Sequence, residues 1–306
     1  PEIKRAGYGV PFSLGLINAG GAISIVIPPS INFILYGAVA EQSIVRLFTA
    51  GILPGLLLSG MLALAVFIYA WRKDIREGQP LSLSNIGRAT KRAFWALLTP
   101  IIVLGSIYGG IVSPTEAGGI ACVYALFVTV VIHRDLNLRE VVDIAGSSAL
   151  LTAQIMIIVA AAGIFSWILT ITGFQTLLVA FVSGLDVQPW VVLLAINALL
   201  LVVGCFLDPT SAVLTLTPLL LPGAMHLGVN PIHFGVIMTA NLSIGMYTPP
   251  FGLNLFVTQA VLGARTADIY KGVLPSVLLQ ILALIALTSL PCVSMSSLQL
   301  LPRQGQ

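Results

Sequence analysis

Apolar runs long enough to cross a bilayer follow one another along nearly the whole chain, and that leaves few folds open. They run Leu14–Tyr36, Leu47–Trp71, Phe94–Val112, Gly118–Ile132 and Ala149–Thr170. Trp190–Leu207, Phe234–Val261 and Val273–Leu290 follow. A soluble core this apolar would need a polar shell, yet only 8% of residues are charged and 58% are hydrophobic. Soluble domains carry about 25% charged residues. In lipid, only helices and closed barrels satisfy their own backbone groups. Barrel strands alternate apolar and polar residues, which these runs do not. The expected fold is all-α, a polytopic helical membrane protein. The net charge of +3 gives no ground for a nucleic-acid partner; the lipid bilayer is the expected surroundings.

Two of these runs carry adjacent prolines at their centre: Pro28-Pro29 in GGAISIVIPPSIN and Pro249-Pro250 in IGMYTPPFGLNLFV. A proline inside a helix removes a donor and clashes with the preceding turn, at ~3 kcal/mol or more. Both runs are therefore predicted to be broken helices. The breaks also share a register. Positions 28 and 249 differ by 221, as do Gly51 and Gly272, and Pro54 and Pro275, in AGILPGLLL and KGVLPSVLL. A gapless match over about thirty positions marks an internal repeat.

The basic residues orient the copies. Arg72, Lys73, Arg76, Arg88, Lys91 and Arg92 crowd one loop, which the excess of positive charge on the inner side places in the cytoplasm. Threading outward from it makes Trp190–Leu207 and Ala212–Leu227 a re-entrant hairpin. Twelve of the fourteen basic residues then lie inside, with Arg46 and Arg303 as exceptions. A single crossing in place of the hairpin would move Arg265 and Lys271 outside. In this threading the first broken segment runs outward and the second inward, so the copies are inverted. Inverted repeats with helices broken near mid-membrane characterise secondary transporters, because freed carbonyls and half-helix ends can face a cation and an anion.

This divides the chain into 1–70, the rest of the first copy, and 71–93, a basic loop. The second copy is 94–290, with the hairpin at 190–227 and the broken helix at 234–261, and 291–306 is a tail. By the repeat, about 130 further residues are expected before Pro1, including the first copy's own hairpin.

Acidic residues inside or at the edge of the runs reduce to Asp208 and Glu116. Asp208, in GCFLDPTSAV, stands at the expected hairpin turn. An intramembrane carboxylate calls for a cation or a hydrogen-bond network, which Thr210 and Ser211 could supply. Asp before Pro is equally a good helix start, so the residue reads both as an ion ligand and as a cap. Glu116 in SPTEAGG reads as the partner of a Ser113 or Thr115 cap. Ser30, Asn32, Asn241, Thr248 and Asn254 gather around the breaks, and their oxygens suit a hard cation. Equally, they could satisfy backbone groups freed by proline. His133, His226 and His233 are expected in interfacial loops. Cys122, Cys205 and Cys292 have no metal spacing and read as small buried apolar residues. No ATP-binding loop, zinc motif or hydrolase triad appears, so neither a cofactor nor an enzyme activity is expected.

GGAISIVIPPSINFILYG, SIVRLFTAGILPGLLL, SPTEAGG, LDPTSAVLTLTPLLLP and YTPPFGLNLFV, in this order, resemble the large membrane subunit of tripartite ATP-independent periplasmic (TRAP) transporters, here without its first portion. The resemblance implies a sodium-coupled importer of organic acids, such as C4-dicarboxylates, in a bacterial inner membrane. It implies a periplasmic substrate-binding protein, a small membrane subunit as partner, and elevator motion. It places sodium and substrate contacts at Gly20, Gly21, Pro28, Pro29 and Ser30, and at Asp208, Asn241, Thr248, Pro249, Pro250 and Asn254, with the ion at Asp208, Ser30 and Thr248. Rival readings are an ion-coupled anion carrier without a binding protein, the membrane subunit of an ATP-driven permease, and an intramembrane enzyme.

The threading is open to test by single-cysteine labelling with an impermeant reagent. Residues 76 and 91 should react from the cytoplasmic side, and residues 184 and 228 both from the other. Labelling of 184 and 228 from opposite sides would make the hairpin a crossing and remove the inversion.

Overall fold

The computed structural model describes residues 3, 6–75, 82–184 and 188–300, where all regular structure is helical. The expectations for Lys4, Arg5, Arg76, Arg303 and residues 185–187 fall outside these. Six of the helices described are long and apolar enough to cross a membrane: Ile44–Arg72, Ser84–Tyr108, Pro114–Ile132, Leu138–Ile171, Pro189–Phe206 and Thr266–Ser289. Large apolar side chains such as Phe67, Ile101 and Ile157 are exposed on them, as a lipid-facing surface requires. The chain is a polytopic helical membrane protein.

Helices α1 (Val10–Ile23), α2 (Ile31–Val39) and α3 (Ile44–Arg72) open the chain. The first break separates α1 from α2. Then α4 (Leu83–Tyr108), α5 (Pro114–Leu126) and α6 (Leu138–Ile171) follow, with a π-helical turn at Phe127–Ile132. Residues 78–160 form one compact unit. There α4 and α5 pack together, and the Tyr124 hydroxyl donates to the Trp95 carbonyl at 2.8 Å. Arg88, Lys91 and Arg92 stand in the first turns of α4 rather than in a loop. Ser113 and Glu116 form a reciprocal cap on α5, the Glu116 carboxylate accepting from Ser113 N–H at 2.7 Å.

The other unit comprises residues 1–77 and 161–306. It adds α7 (Phe174–Gly184), α8 (Pro189–Phe206), α9 (Pro209–His226), α10 (Pro231–Gly245), α11 (Leu253–Leu262), α12 (Thr266–Ser289) and α13 (Cys292–Met295). A 3₁₀ turn, Ser296–Leu300, ends the described chain. The starts follow one chemistry. Asp208 and Asn230 each precede a proline, and each side chain accepts a backbone N–H of the helix that it caps. Proline at the first helical position lacks a donor that would be idle anyway. Leu207 and Asp208 alone, both extended, join α8 to α9. Gly263 ends α11 with φ 59°, a left-handed turn that suits glycine.

The second break lies between α10 and α11, and the Pro28–Pro29 and Pro249–Pro250 bonds are both cis. The copies meet at corresponding positions. The Ser243 hydroxyl donates to the Ala22 carbonyl at 2.6 Å, across a separation of 221. One residue off that register, Gln280 Nε2 donates to the Leu58 carbonyl at 2.9 Å, joining α12 to α3. Against α1, α12 packs so closely that a Cβ on Gly272 would meet the Pro11 carbonyl, and one on Gly15 would meet the Gly272 carbonyl. Without a hydrophobic drive between helices in lipid, such backbone approach is a main source of association.

Three local expectations are corrected. His233 is the third residue of α10, 3% exposed, with Nδ1 2.7 Å from Ser294 Oγ, rather than in an interfacial loop. His226 is the last residue of α9. Cys122 and Cys292 are exposed, and of the three only Cys205 is buried. Their apolar runs put these thiols at helix surfaces, where a small apolar residue needs no protein neighbour.

Gly272→Ala tests the close seam. The added methyl has no room, so overpacking should cost about 1–3 kcal/mol. In α3, Gly60 has open space around it, and Gly60→Ala should be neutral or stabilising by about 0.5–1 kcal/mol. Equal thermal midpoints for the two variants in detergent would contradict this packing.

Candidate ion and substrate site

A broken helix in lipid must find partners for its freed carbonyls, and the structure supplies them individually. At the end of α1, Ser24 Oγ donates to the Gly21 carbonyl at 2.6 Å. Ile25 N–H and Ser243 Oγ both serve the Ala22 carbonyl. At the second break Gly252 N–H donates to the Thr248 carbonyl at 3.1 Å and Asn254 N–H to the Met246 carbonyl at 3.0 Å. The Tyr270 hydroxyl reaches the Pro250 carbonyl at 2.7 Å. Gly252 is required here, since a Cβ would strike the Met246 carbonyl.

The helices beyond the breaks begin without a side-chain cap, and the two beginnings differ. Ser30 precedes α2 in extended conformation without capping it. Its Oγ and the Nδ2 of Asn32 are buried, and neither has a hydrogen-bond partner among the described residues. Pro28 is buried beside them and Pro29 is exposed. The start of α11 instead presents Phe251 and Leu253 to the tip of the α8–α9 hairpin. Gly204 of α8 packs against Gly245, Cys205 Sγ lies 4.0 Å from the Pro249 carbonyl, and the Phe206 and Phe251 ring centroids are 5.2 Å apart. Cys205, Leu207, Asp208, Leu253 and Phe256 help to line a hollow of about 320 Å³ there.

Asp208 opens on this hollow, and its carboxylate caps α9. Oδ2 accepts from Ser211 N–H at 3.0 Å and Oδ1 from Ser211 Oγ at 2.6 Å. The structural reading of Asp208 as a cap is thus realised. Each oxygen keeps a second lone pair. Thr210 sits half-buried in the same turn. The Thr248 hydroxyl donates to the Ile244 carbonyl at 2.7 Å, leaving its lone pairs unused. Among the described residues no hydrogen bond joins Asp208 to Ser30 or Thr248.

The remaining predicted residues divide between the seam and the core. Gly20 and Gly21 are exposed on the last turn of α1, with Asn254 beside Gly21. Asn254 Nδ2 donates to the Asn18 carbonyl at 3.4 Å, bringing the first copy's helix end to the second copy's helix start. Asn241 is fully buried and its Nδ2 donates to Asn197 Oδ1 at 2.9 Å and to the Asn197 carbonyl.

Residues 1–293 match the family model for the DctM component of the tripartite ATP-independent periplasmic transporter. The chain belongs to this family. It is 39% identical over 292 residues to the C4-dicarboxylate TRAP transporter large permease protein of Pseudomonas aeruginosa, covering 95% of this chain and 68% of that protein. It is 35% identical over 291 residues to the 2,3-diketo-L-gulonate TRAP transporter large permease protein of Escherichia coli, again 95% and 68%. With the isethionate TRAP transporter permease protein DctMQ of Oleidesulfovibrio alaskensis it shares 39% identity over 301 residues, 96% of this chain and 47% of that one. As a TRAP large permease it is a multi-pass protein of the bacterial inner membrane, and its family is one of transporters, not enzymes.

Sequence reasoning passed over four polar residues that this permease uses to hold the region together. Asn18 Oδ1 accepts from Thr258 Oγ1 at 3.0 Å, between α1 and α11. Asn197 Nδ2 donates to Thr288 Oγ1 at 2.9 Å, between the hairpin and α12. The available signal was an amide inside an otherwise apolar run. A double-mutant cycle of Asn18→Ala and Thr258→Val should give a coupling of about 0.6 kcal/mol, reaching at most about 1.7, as for hydrogen bonds between membrane helices. Unfolding in mixed micelles measures it, and strict additivity would remove the bond.

Proposed function

We propose that this chain is the permease core of a sodium-coupled importer of small organic acids, C4-dicarboxylates or related carboxylates. A periplasmic binding protein would deliver the substrate, and a small membrane subunit would brace the permease. The observation that carries this reading is the pair of broken helices joined at corresponding positions by the Ser243–Ala22 bond. Relatives named for C4-dicarboxylates and 2,3-diketo-L-gulonate support the substrate class, and family membership supports the partners.

The residues present fit a monovalent cation. A hydroxyl oxygen without a partner at Ser30, unused lone pairs at Thr248 and a carboxylate at Asp208 are hard donors of the type sodium takes. Ser30 would serve the first break, and Asp208 with Thr248 the second. A bound cation would supply positive charge beside an anionic substrate. The N-termini of α2 and α11, with Gly20, Gly21, Asn32 and Asn254 nearby, would orient the substrate carboxylate through backbone dipoles. Pro28-Pro29 and Pro249-Pro250 keep those ends open. Asn241 acts through Asn197, positioning the hairpin, and Thr210 shares the first turn of α9 with the Asp208 cap. Elevator motion would carry the hairpin and broken helices together.

Asp208→Asn separates the roles of that residue. Asn caps about as well as Asp, so folded protein should be retained while the sodium dependence of uptake in proteoliposomes shifts to higher concentration, tenfold or more. Asp208→Ala should add a loss of about 1 kcal/mol in stability. Superimposable sodium titrations for Asp208→Asn and the unmodified transporter would leave Asp208 as a cap alone.

A further inference from the structure

Away from both breaks, α1, α3 and α12 enclose a cavity of about 520 Å³. Its walls are carbon, from Phe12, Leu64, Ile68 and Leu279 among others, and its polar groups are the side chains of Arg72, Lys271 and Tyr69. Arg72 ends α3 and Lys271 lies in the first turns of α12, so both cations stand at the end that the threading places in the cytoplasm. Both are exposed. Asp268, one turn before Lys271, is held by Arg265 at 2.9 Å and does not neutralise it.

The repeat shows what such a groove holds in the other copy. Position 12 corresponds to 233, and His233 is covered by Ser294 of α13 at 2.7 Å. There α13 and the 3₁₀ turn pack on α3, so the chain's own tail closes the second groove. At the first, the rings of Tyr69 and Tyr8 stack on Phe12, their centroids 3.8 and 5.8 Å from its own, and the walls end in two cations.

We propose that an anionic phospholipid of the cytoplasmic leaflet fills this groove, its phosphate between Arg72 and Lys271 and one acyl chain along Phe12, Leu64 and Leu279. Basic pockets between membrane helices on the cytoplasmic side suit phosphate headgroups. The carbon walls distinguish a lipid from a free phosphate, which could use only the mouth. The lipid would fasten α1 to α3 and α12. This inference stands independently of the transported substrate.

The test is native mass spectrometry of the complete transporter, released from detergent after titration with phosphatidylglycerol or phosphatidylcholine. Phosphatidylglycerol should be retained in preference, by one molecule per permease. Arg72→Gln with Lys271→Gln should weaken its apparent affinity about thirtyfold, near fivefold for each cation. Leu279→Trp, which keeps both charges and fills the groove, should lose the lipid too. Arg88→Gln with Lys91→Gln, in the other unit, should retain it. Each variant is first checked for a single peak in size exclusion. Equal retention of the two lipids, or retention by Leu279→Trp, would overturn the proposal. Displacement by glycerol phosphate at concentrations equal to the lipid would reduce the groove to an anion site and overturn it equally.

Discussion

A carbonyl freed in an apolar solvent has no water to turn to, and the partner found for the Ala22 carbonyl organises the rest of this permease. α1 stops at Ile23, ahead of the first double proline, and the Ala22 carbonyl, without its i+4 donor, accepts from Ile25 N–H. Ser243, in the last turn of the equivalent helix, also donates to that carbonyl. The same bond satisfies the break and joins the two copies at their corresponding points. Asn254 also reaches the Asn18 carbonyl within α1, and Tyr270 serves the freed carbonyl of Pro250. The first break draws one donor from the opposite copy, and the second is served from its own by Gly252, Asn254 and Tyr270.

Equivalent positions have diverged where their neighbours differ. Ser24, which closes the end of α1 through the Gly21 carbonyl, corresponds to Gly245, where the hairpin's Gly204 leaves no room for a side chain. Ser30 and Asn32, whose buried Oγ and Nδ2 have no partner among the described residues, correspond to Phe251 and Leu253, which face the hairpin tip. One half-helix start is thus polar and the other apolar, although the backbones repeat. The asymmetry of side chains on symmetric backbones gives the two breaks separate chemistries.

Much of this was legible in the sequence because proline and glycine act locally. The breaks, the helix limits near 190 and 227 and the caps at Asp208 and Ser113 each follow from residues within a turn of one another. What escaped depends on pairing across the fold. Asn18 and Asn197 look alike in their apolar runs, and only packing shows that one meets Thr258 and the other Thr288. His233 looked interfacial because it falls just before the apolar run that begins at Phe234, yet the tail from Cys292 folds back and buries it. The short α7 lies in a stretch with no cap-and-proline start. Its existence could not be read from local chemistry.

The direction of these hydrogen bonds bears on ion chemistry. Helices leave carbonyls unsatisfied at their C-terminal ends, and Ser24, Ser243 and Thr248 donate to such carbonyls, while Gln280 donates to a carbonyl inside α3 and Thr258 to an amide oxygen. A hydroxyl or amide that has given its proton keeps its lone pairs. Thr248, and Gln280 Oε1, buried and without a partner among the described residues, are in that state. With few Lys or Arg in the spans, little positive charge competes for those oxygens. Closing broken helices with side-chain donors therefore leaves lone pairs on those oxygens, which favour a cation, beside helix N-termini, which favour an anion.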